Sequence, residues 1–156
     1  MNIPEFLDRN NVSFELLPHY TTYEAQKMAQ AVHVSGHHVA KTVMLRIGES
    51  EQHVVVVLPA SHKVDFDEAR NVFGVEQVEL ATEAEISRHC PDCDVGALPP
   101  FGSQYDMKTA IDQALTRDEE IVFEGNTHSE AIRMKTADFI ELENPQVVSL
   151  SHLAVA

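Results

Sequence analysis

The stretch His38-Val39-Ala40-Lys41-Thr42-Val43-Met44-Leu45-Arg46 decides how the rest of the chain is interpreted. Its valines, threonine and leucine favour a pleated backbone, so the stretch predicts the start of a buried strand. Lys41 lies inside this apolar run, although an ammonium group is costly to remove from water. Two interpretations stay open: the stem of Lys41 covers apolar surface while its head reaches water, or the ammonium stands at the mouth of a pocket and holds an anion or polarises a carbonyl.

The length and composition predict a globular protein with one domain over residues 1–156. The chain has 156 residues, of which 44% are apolar, which is enough for one domain with its own core. No apolar run approaches the roughly 20 residues of a membrane span. The first residues lack the basic start and the apolar segment of a signal peptide. We therefore expect a cytoplasmic protein that does not contact a membrane.

The charge balance limits the partners of the chain. Its net charge is -14, from 25 acidic and 11 basic residues. Tight nucleic-acid binding without sequence preference relies on a basic surface, so this composition argues against it. Brief, salt-sensitive contact with the end of an RNA through a few lysines and arginines is compatible with the same composition.

Helix and strand signals alternate along the chain and predict an α+β fold with a mixed sheet. Capping residues and apolar spacing predict helices at about 3–10, 23–32 (after Thr22), 65–73, 82–89 and 137–142, with a turn or short helix at 112–119. Asp65 is the predicted N-cap of the helix 65–73 and Gly74 its C-terminal glycine, while Thr82 and Glu85 match a capping box. Strands are predicted at about 12–17, from Lys41 onward, 54–58, 78–80, 105–111, 121–123 and 131–134, and loops at 59–63 and 90–102. The run Val54–Leu58 is apolar throughout, which is typical of a central strand covered on both faces.

The loop Gly96-Ala97-Leu98-Pro99-Pro100-Phe101-Gly102 is the second notable stretch. Two glycines permit unusual backbone angles and close approach of a ligand, while two prolines stiffen the chain. Exposed backbone N–H groups of such a loop can bind an oxyanion or a carbonyl. A tight structural turn has the same composition, so the loop by itself does not decide between the two.

Cysteine and histidine patterns predict no metal centre. Thioredoxin-like chemistry needs a Cys-x-x-Cys pair at a helix N-terminus after a strand, whereas Cys90 and Cys93 follow a predicted helix. A structural zinc site usually needs four ligands, and only His89 lies close in sequence as a third. His128 lies in a predicted turn, where it either faces the same pocket as Lys41 or bonds backbone groups of the turn. We therefore expect neither a metal nor a cofactor.

Three stretches in order resemble the YbaK / prolyl-tRNA synthetase insertion-domain family of aminoacyl-tRNA deacylases. They are Val39–Val43, Gly96–Gly102, and Gly125–His128 followed by Ala131–Met134. The resemblance covers the chain from about Val12 to Leu142. It implies a compact, mixed, mostly antiparallel and barrel-like β-sheet surrounded by helices, with a small pocket beside the lysine. It also implies hydrolysis, without a metal, of the ester that joins a wrong amino acid to the terminal adenosine of a tRNA.

The same resemblance implies roles for individual residues. Lys41 and Gly96 are the expected catalytic residues: the ammonium holds the adenosine or carbonyl end of the substrate, and backbone N–H groups near Gly96 stabilise the developing negative charge. No strong protein base is evident, so the 2′-hydroxyl of the substrate is expected to orient the attacking water. The expected substrate-binding residues, which would shape the pocket and sort the amino acid, are Thr42, Ala97, Pro100, His128, Tyr20 and Met44.

The resemblance leaves the partners and the substrate to be determined. We expect weak, transient contact with the acceptor end of a tRNA just released by an aminoacyl-tRNA synthetase or an elongation factor, and a monomer or weak dimer. The expected substrate carries a small amino acid of the alanine or proline type. The alternative is a binding or regulatory module that uses the same pocket for an amino acid or an adenylate-like ligand without hydrolysis.

Overall fold

The computed structural model describes residues 2–18, 38–94, 97–125 and 129–154. All helices and strands in these ranges are short. In chain order they are α1 (Ile3–Arg9), β1 (Phe14–Pro18), β2 (Ala40–Ile47), β3 (Gln52–Pro59), β4 (His62–Val64), α2 (Phe66–Phe73), β5 (Val78–Leu80), α3 (Glu83–His89), a 3-10 helix (Gly102–Tyr105), β6 (Lys108–Asp112), α4 (Gln113–Thr116), β7 (Glu120–Glu124), β8 (Glu130–Lys135), α5 (Thr136–Glu143), β9 (Gln146–Val148) and β10 (Ser151–Leu153).

The strands of the described ranges form three sheets. A five-stranded sheet has the order β5-β2-β3-β6-β9, a three-stranded sheet the order β1-β8-β7, and β10 pairs with β4. Only the pairs β3–β6 and β6–β9 are parallel. A parallel bridge between Val39 and Val122 brings the two larger sheets together. The predicted α+β class with a mixed, mostly antiparallel sheet is thereby confirmed, although the described strands do not close into a barrel.

Strand β3 is the centre of the fold, as its continuous apolar run predicted. Every residue from His53 to Pro59 is buried. Val55 and Val57 face a cluster that contains Phe101 and Phe123, while Val54, Val56 and Leu58 face a second cluster on the other side of the sheet. Each fully buried valine is worth roughly 1.5–3 kcal/mol relative to exposure. Burial on both faces therefore fixes the position and the register of β3.

The predicted caps at Asp65, Gly74 and Thr82 are confirmed. The Asp65 carboxylate accepts the backbone N–H groups of Asp67 and Glu68 at 3.0 and 3.1 Å and begins α2. Gly74 ends α2 at φ +64°, the left-handed conformation that glycine adopts without steric cost. Thr82 accepts the backbone N–H of Glu85 at 3.1 Å and begins α3. These boundaries were predictable because each depends on contacts within a few residues.

Other boundaries differ from the predictions. The predicted loop 59–63 contains the start of β4, and β9 and β10 were not predicted. These three-residue strands exist because they pair with distant segments, a contact that local composition does not reveal. The predicted strand 105–111 begins only at Lys108, because residues 102–105 form the 3-10 helix. Strand β1 extends through Pro18. Proline has no N–H, and an edge strand such as β1 tolerates it because an N–H on the outer side of the sheet would have no partner strand.

The predicted helix 23–32 with its cap Thr22 lies outside the described residues. Among the described helices, none has the length and apolar character needed to cross a membrane.

Candidate active site

Lys41 lies near the start of β2, between β3 and the end of β7. It is directly opposite Leu58 of β3. Two residues earlier, Val39 bridges Val122 of β7. This bridge is isolated, so Val39 is the point at which this segment pairs with β7 in the described ranges.

The ammonium of Lys41 is held in a partly desolvated position. Burial lowers the pKa of Lys41 from its ordinary value of 10.5. In the part of the chain that the structure describes, no carboxylate forms an ion pair with Lys41, and no charge offsets the effect of burial on its pKa. A half-buried ammonium without a counter-ion among the described residues is a candidate for binding a negatively charged or strongly polar ligand.

The side chains of β2 alternate between the two faces of the sheet. Met44 is buried in the same cluster as Ala40, and Thr42 lies on that face between them, partly buried. Lys41 therefore projects from the opposite face. Its neighbour on that face, Val39, packs in a small cluster of mostly small apolar side chains, Ala60, Val122, Ala131 and the half-buried Leu17. Lys41 and Val39 therefore share one face of β2, whereas Thr42 and Met44 lie on the other face.

The described part of the glycine-proline loop, residues 97–101, is buried throughout. Leu98 and Phe101 pack in the cluster that contains Ala40 and Met44. The Ala97 N–H donates to the Asp94 carbonyl at 3.0 Å, so this N–H is engaged within the loop. The Ala97 N–H is thus already engaged, which leaves the other N–H groups of the loop as the expected oxyanion donors.

Three predicted site residues, Tyr20, Gly96 and His128, lie outside the described residues. The pairing of Lys41 with Gly96, and the positions of Tyr20 and His128 relative to the pocket, therefore stay predictions. Gly125, which precedes the turn, is described: a Cβ there would come within 2.7 Å of the Ile132 side chain, so the hairpin is closely packed at this point.

Sequence reasoning missed a charged network behind the loop. Glu85 is buried, and its carboxylate accepts from Arg46 Nη1 at 2.9 Å and contacts His53 Nε2. The hydrogen bond with His53, followed by those with Thr82 and the charge of Arg46, lowers the pKa of Glu85 to about 2. His89 Nε2 lies 3.3 Å from His53 Nδ1, and burial, with the nearby positive groups, lowers the pKa of His89.

This network fixes α3 against the central sheet. Arg46 is in β2 and His53 in β3, whereas Glu85 and His89 are in α3. The helix leads directly into Cys90, which forms a disulfide with Cys93, and then into the loop 94–101. The capping-box signal identified Glu85 as a helix-start residue, and only its burial shows that it also anchors the helix to two strands.

A cavity of about 580 Å³ lies at the opposite end of β3 from Lys41, and its lining includes His53, Thr109, Ser103 and Glu143. The Glu143 carboxylate accepts the Ser103 N–H at 3.1 Å and the hydroxyls of Ser103 and Thr109 at 2.5 Å each. These polar groups satisfy one another and tie α5 to β6. The side chains that line this cavity therefore hold α5 and β6 together, and Lys41 is not one of them.

Comparison with known proteins gives one family match. The model of the aminoacyl-tRNA editing domain family matches residues 19–142. A multifunctional Ser/Thr-tRNA deacylase, ProXp-y of Escherichia coli K12, is 24% identical over 151 residues, which are 95% of this chain and 90% of that protein. A proline--tRNA ligase of Bacillus cytotoxicus is 35% identical over 75 residues, which are 48% of this chain and 13% of the ligase.

Solved structures share the fold. A hypothetical protein, APE2540, superposes with a TM-score of 0.87 at 18% identity, over 96% of this chain and 99% of its own. A protein described as a candidate trans-editing enzyme for prolyl-tRNA synthetase superposes with a TM-score of 0.81 at 21% identity, over 96% of this chain and 94% of its own. At these identities the likeness concerns the fold.

Proposed function

The chain belongs to the aminoacyl-tRNA editing domain family, a family of deacylases, and from this premise we propose that it hydrolyses, in trans, the ester of a mischarged tRNA that carries a small amino acid. The proposed substrates are of the alanine or proline type. Such an enzyme is needed because a synthetase discriminates between two amino acids that differ by one methylene by only about 1–3 kcal/mol. A second site must therefore hydrolyse the esters of the wrong amino acids.

The observation that carries the proposal is the half-buried ammonium of Lys41 within a chain of this family. Its charge has no described counter-ion and its pKa is lowered by burial. A phosphate or the polarised ester of the terminal adenosine would supply the missing partner, and the low local dielectric would strengthen that contact. Lys41 is therefore assigned to hold the adenosine or carbonyl end of the substrate.

The loop 94–101 is assigned to the acyl group. Ala97 and Pro100 are buried and would form the wall of the amino-acid pocket, with Gly96 supplying the N–H that stabilises the tetrahedral intermediate. Thr42, Met44, His128 and Tyr20 are proposed as further pocket residues. With the 2′-hydroxyl of the substrate orienting the water, catalysis depends mainly on positioning.

The tRNA partner is proposed to bind weakly at its acceptor end. A chain of net charge -14 offers little attraction to a phosphate backbone. We therefore infer that the protein acts on tRNA as a synthetase or an elongation factor releases it. Removal of serine or threonine is a second candidate specificity, because a relative that covers 95% of the chain is named a Ser/Thr-tRNA deacylase.

The test is a deacylation screen with tRNAs charged with alanine, proline, serine or threonine. Release of free amino acid above the spontaneous rate, from mischarged but not from correctly charged tRNA, supports the proposal and identifies the substrate. The Lys41→Met variant, which lacks the ammonium, shows whether any hydrolysis depends on the proposed pocket. If no mischarged tRNA is hydrolysed while the protein binds an amino acid or an adenylate analogue, the chain is instead a binding module.

A further inference from the structure

The disulfide between Cys90 and Cys93 lies at the start of the loop 94–101, with a Cα–Cα distance of 5.5 Å. Cys90 is 1% exposed, and its N–H donates to the Ile86 carbonyl at 2.8 Å, so the end of α3 holds it in place. Cys93 is half-buried in a turn in which its N–H donates to the Cys90 carbonyl at 3.2 Å. One sulfur is thus fixed in the core, and the other is partly accessible to small reagents.

The two ends of this loop meet at Cys93. Its Sγ lies 3.8 Å from the hydroxyl of Tyr105, which belongs to the 3-10 helix that follows the loop. Between these ends, the Ala97 N–H donates to the Asp94 carbonyl at 3.0 Å. A change that releases Cys93 from Cys90 therefore loosens the first end of the loop relative to the second.

We propose that Cys90 and Cys93 are a redox-sensitive modification site whose disulfide holds residues 97–101 in the arrangement that deacylation requires. The part that concerns deacylation rests on the proposed function. The chain has two cysteines, so neither can form a disulfide with a different cysteine of the same chain. The disulfide closes a very short loop, which restricts the unfolded chain less than a long one does, and this favours reversible opening.

The exchange step is balanced with a low-molecular-weight thiol as the reductant. Its thiolate attacks Cys93 Sγ, the bond between the two protein sulfurs breaks, and Cys90 leaves as a thiolate that takes up a proton. Asp92 Oδ1 lies 3.5 Å from Cys90 Sγ. A second reagent thiol then cleaves the mixed disulfide at Cys93. Two reagent thiols thus become one reagent disulfide, and a reagent disulfide drives the reverse reaction.

The first experiment does not depend on any enzymatic activity. Amide exchange of the full chain is followed by NMR in oxidised and in reduced glutathione, with the redox state checked by mass. We expect the Ala97 amide to exchange about tenfold faster or more after reduction, because its hydrogen bond opens more often. The Asn144 amide, which donates to the Ile140 carbonyl at 2.9 Å, is the internal control and should not change.

The second experiment measures kcat/KM for the mischarged tRNA in both redox states. We expect about a tenfold loss on reduction, since displaced pocket walls misalign the ester. Cys93→Ser should show the lower rate in both states, whereas Ser87→Ala, an exposed change on α3, should keep the response. If Cys93→Ser does not fold, the oxidised and reduced forms of the unaltered chain still give the comparison of kcat/KM.

The outcomes separate the two proposals. Accelerated exchange of Ala97 without hydrolysis of any mischarged tRNA supports the redox site and overturns the deacylase. Hydrolysis with neither the Ala97 amide nor kcat/KM responding to reduction overturns the redox site. The donor atoms of Cys90, Asp92 and Cys93 lie within 4.8 Å of one another; one tightly bound zinc per chain, lost in Cys93→Ser, would also overturn it in favour of a metal site.

Discussion

Replacing Lys41 by methionine should lower deacylation without destabilising the protein. Methionine keeps most of the apolar stem and removes only the ammonium. A hydrogen bond to a charged group is worth about 1.5–3 kcal/mol, and every 1.4 kcal/mol is about a factor of ten. If the ammonium binds the substrate as proposed, kcat/KM should fall by about 10- to 150-fold.

The unfolding free energy should stay the same or rise, because the described structure offers the Lys41 ammonium no counter-ion to lose. The sign of the pH dependence follows from its lowered pKa. Below the folded-state pKa the cost of burying the charge is fully present, and it disappears as the pH rises from that value through 10.5, the ordinary value of the unfolded chain. The stability advantage of Lys41→Met should therefore shrink in this alkaline range.

The assay pairs single-turnover deacylation with urea unfolding across pH. Lys63→Met is the matched control, because Lys63 is exposed in β4 and should affect neither quantity. A Lys41→Met variant that unfolds in less urea while hydrolysing mischarged tRNA at the normal rate would refute the reasoning, since Lys41 would then be a structural residue with no role in binding.

Three further changes test the packing around the site. Glu85→Gln should lower the urea midpoint at neutral pH, because the charged Glu85 carboxylate stabilises the fold. The difference from the unaltered chain should disappear as the pH falls from 4.5 to about 2, where the carboxylate of the folded chain becomes protonated. Gly102→Ala should cost more stability than Gly125→Ala in thermal melts: the new Cβ at Gly102 would meet backbone carbonyls at 3.0 and 3.1 Å, whereas at Gly125 it meets the end of a side chain that can rotate. Thr136→Val should raise the unfolding free energy by about 1 kcal/mol, measured by urea unfolding, because the buried hydroxyl has no hydrogen-bond partner among the described residues.

Local signals in the sequence located most of the helices and strands. Asp65, Gly74 and Thr82 identified helix ends because a cap is completed within three or four residues. The apolar run of β3 identified the central strand because burial on both faces leaves no polar position. Strands β9 and β10 gave no such signal, since three residues that pair with a distant edge carry little pattern of their own.

In the candidate site, too, the sequence predicted local features but not the contacts between distant residues. Glu85 is separated from His53 by 32 positions and from Arg46 by 39, so no local motif could predict that these three side chains meet. The capping box predicted the hydrogen bond from the Glu85 N–H to Thr82, but it did not predict the contacts of the Glu85 carboxylate. Likewise, neither the disulfide between Cys90 and Cys93 nor the contact of Cys93 with Tyr105 was predicted, because both depend on how the chain folds back at this point.

The sequence by itself determined the strand that contains Lys41, the α+β class and the family resemblance, because strand propensity, capping and ordered motifs are written in neighbouring residues. Only the tertiary structure decided that Lys41 projects away from Thr42 and Met44, that its ammonium is half-buried without a described counter-ion, and that the Ala97 N–H is already engaged. The reason is physical: desolvation, pairing and hydrogen bonding depend on which distant segments surround a group, and a linear pattern does not specify those neighbours.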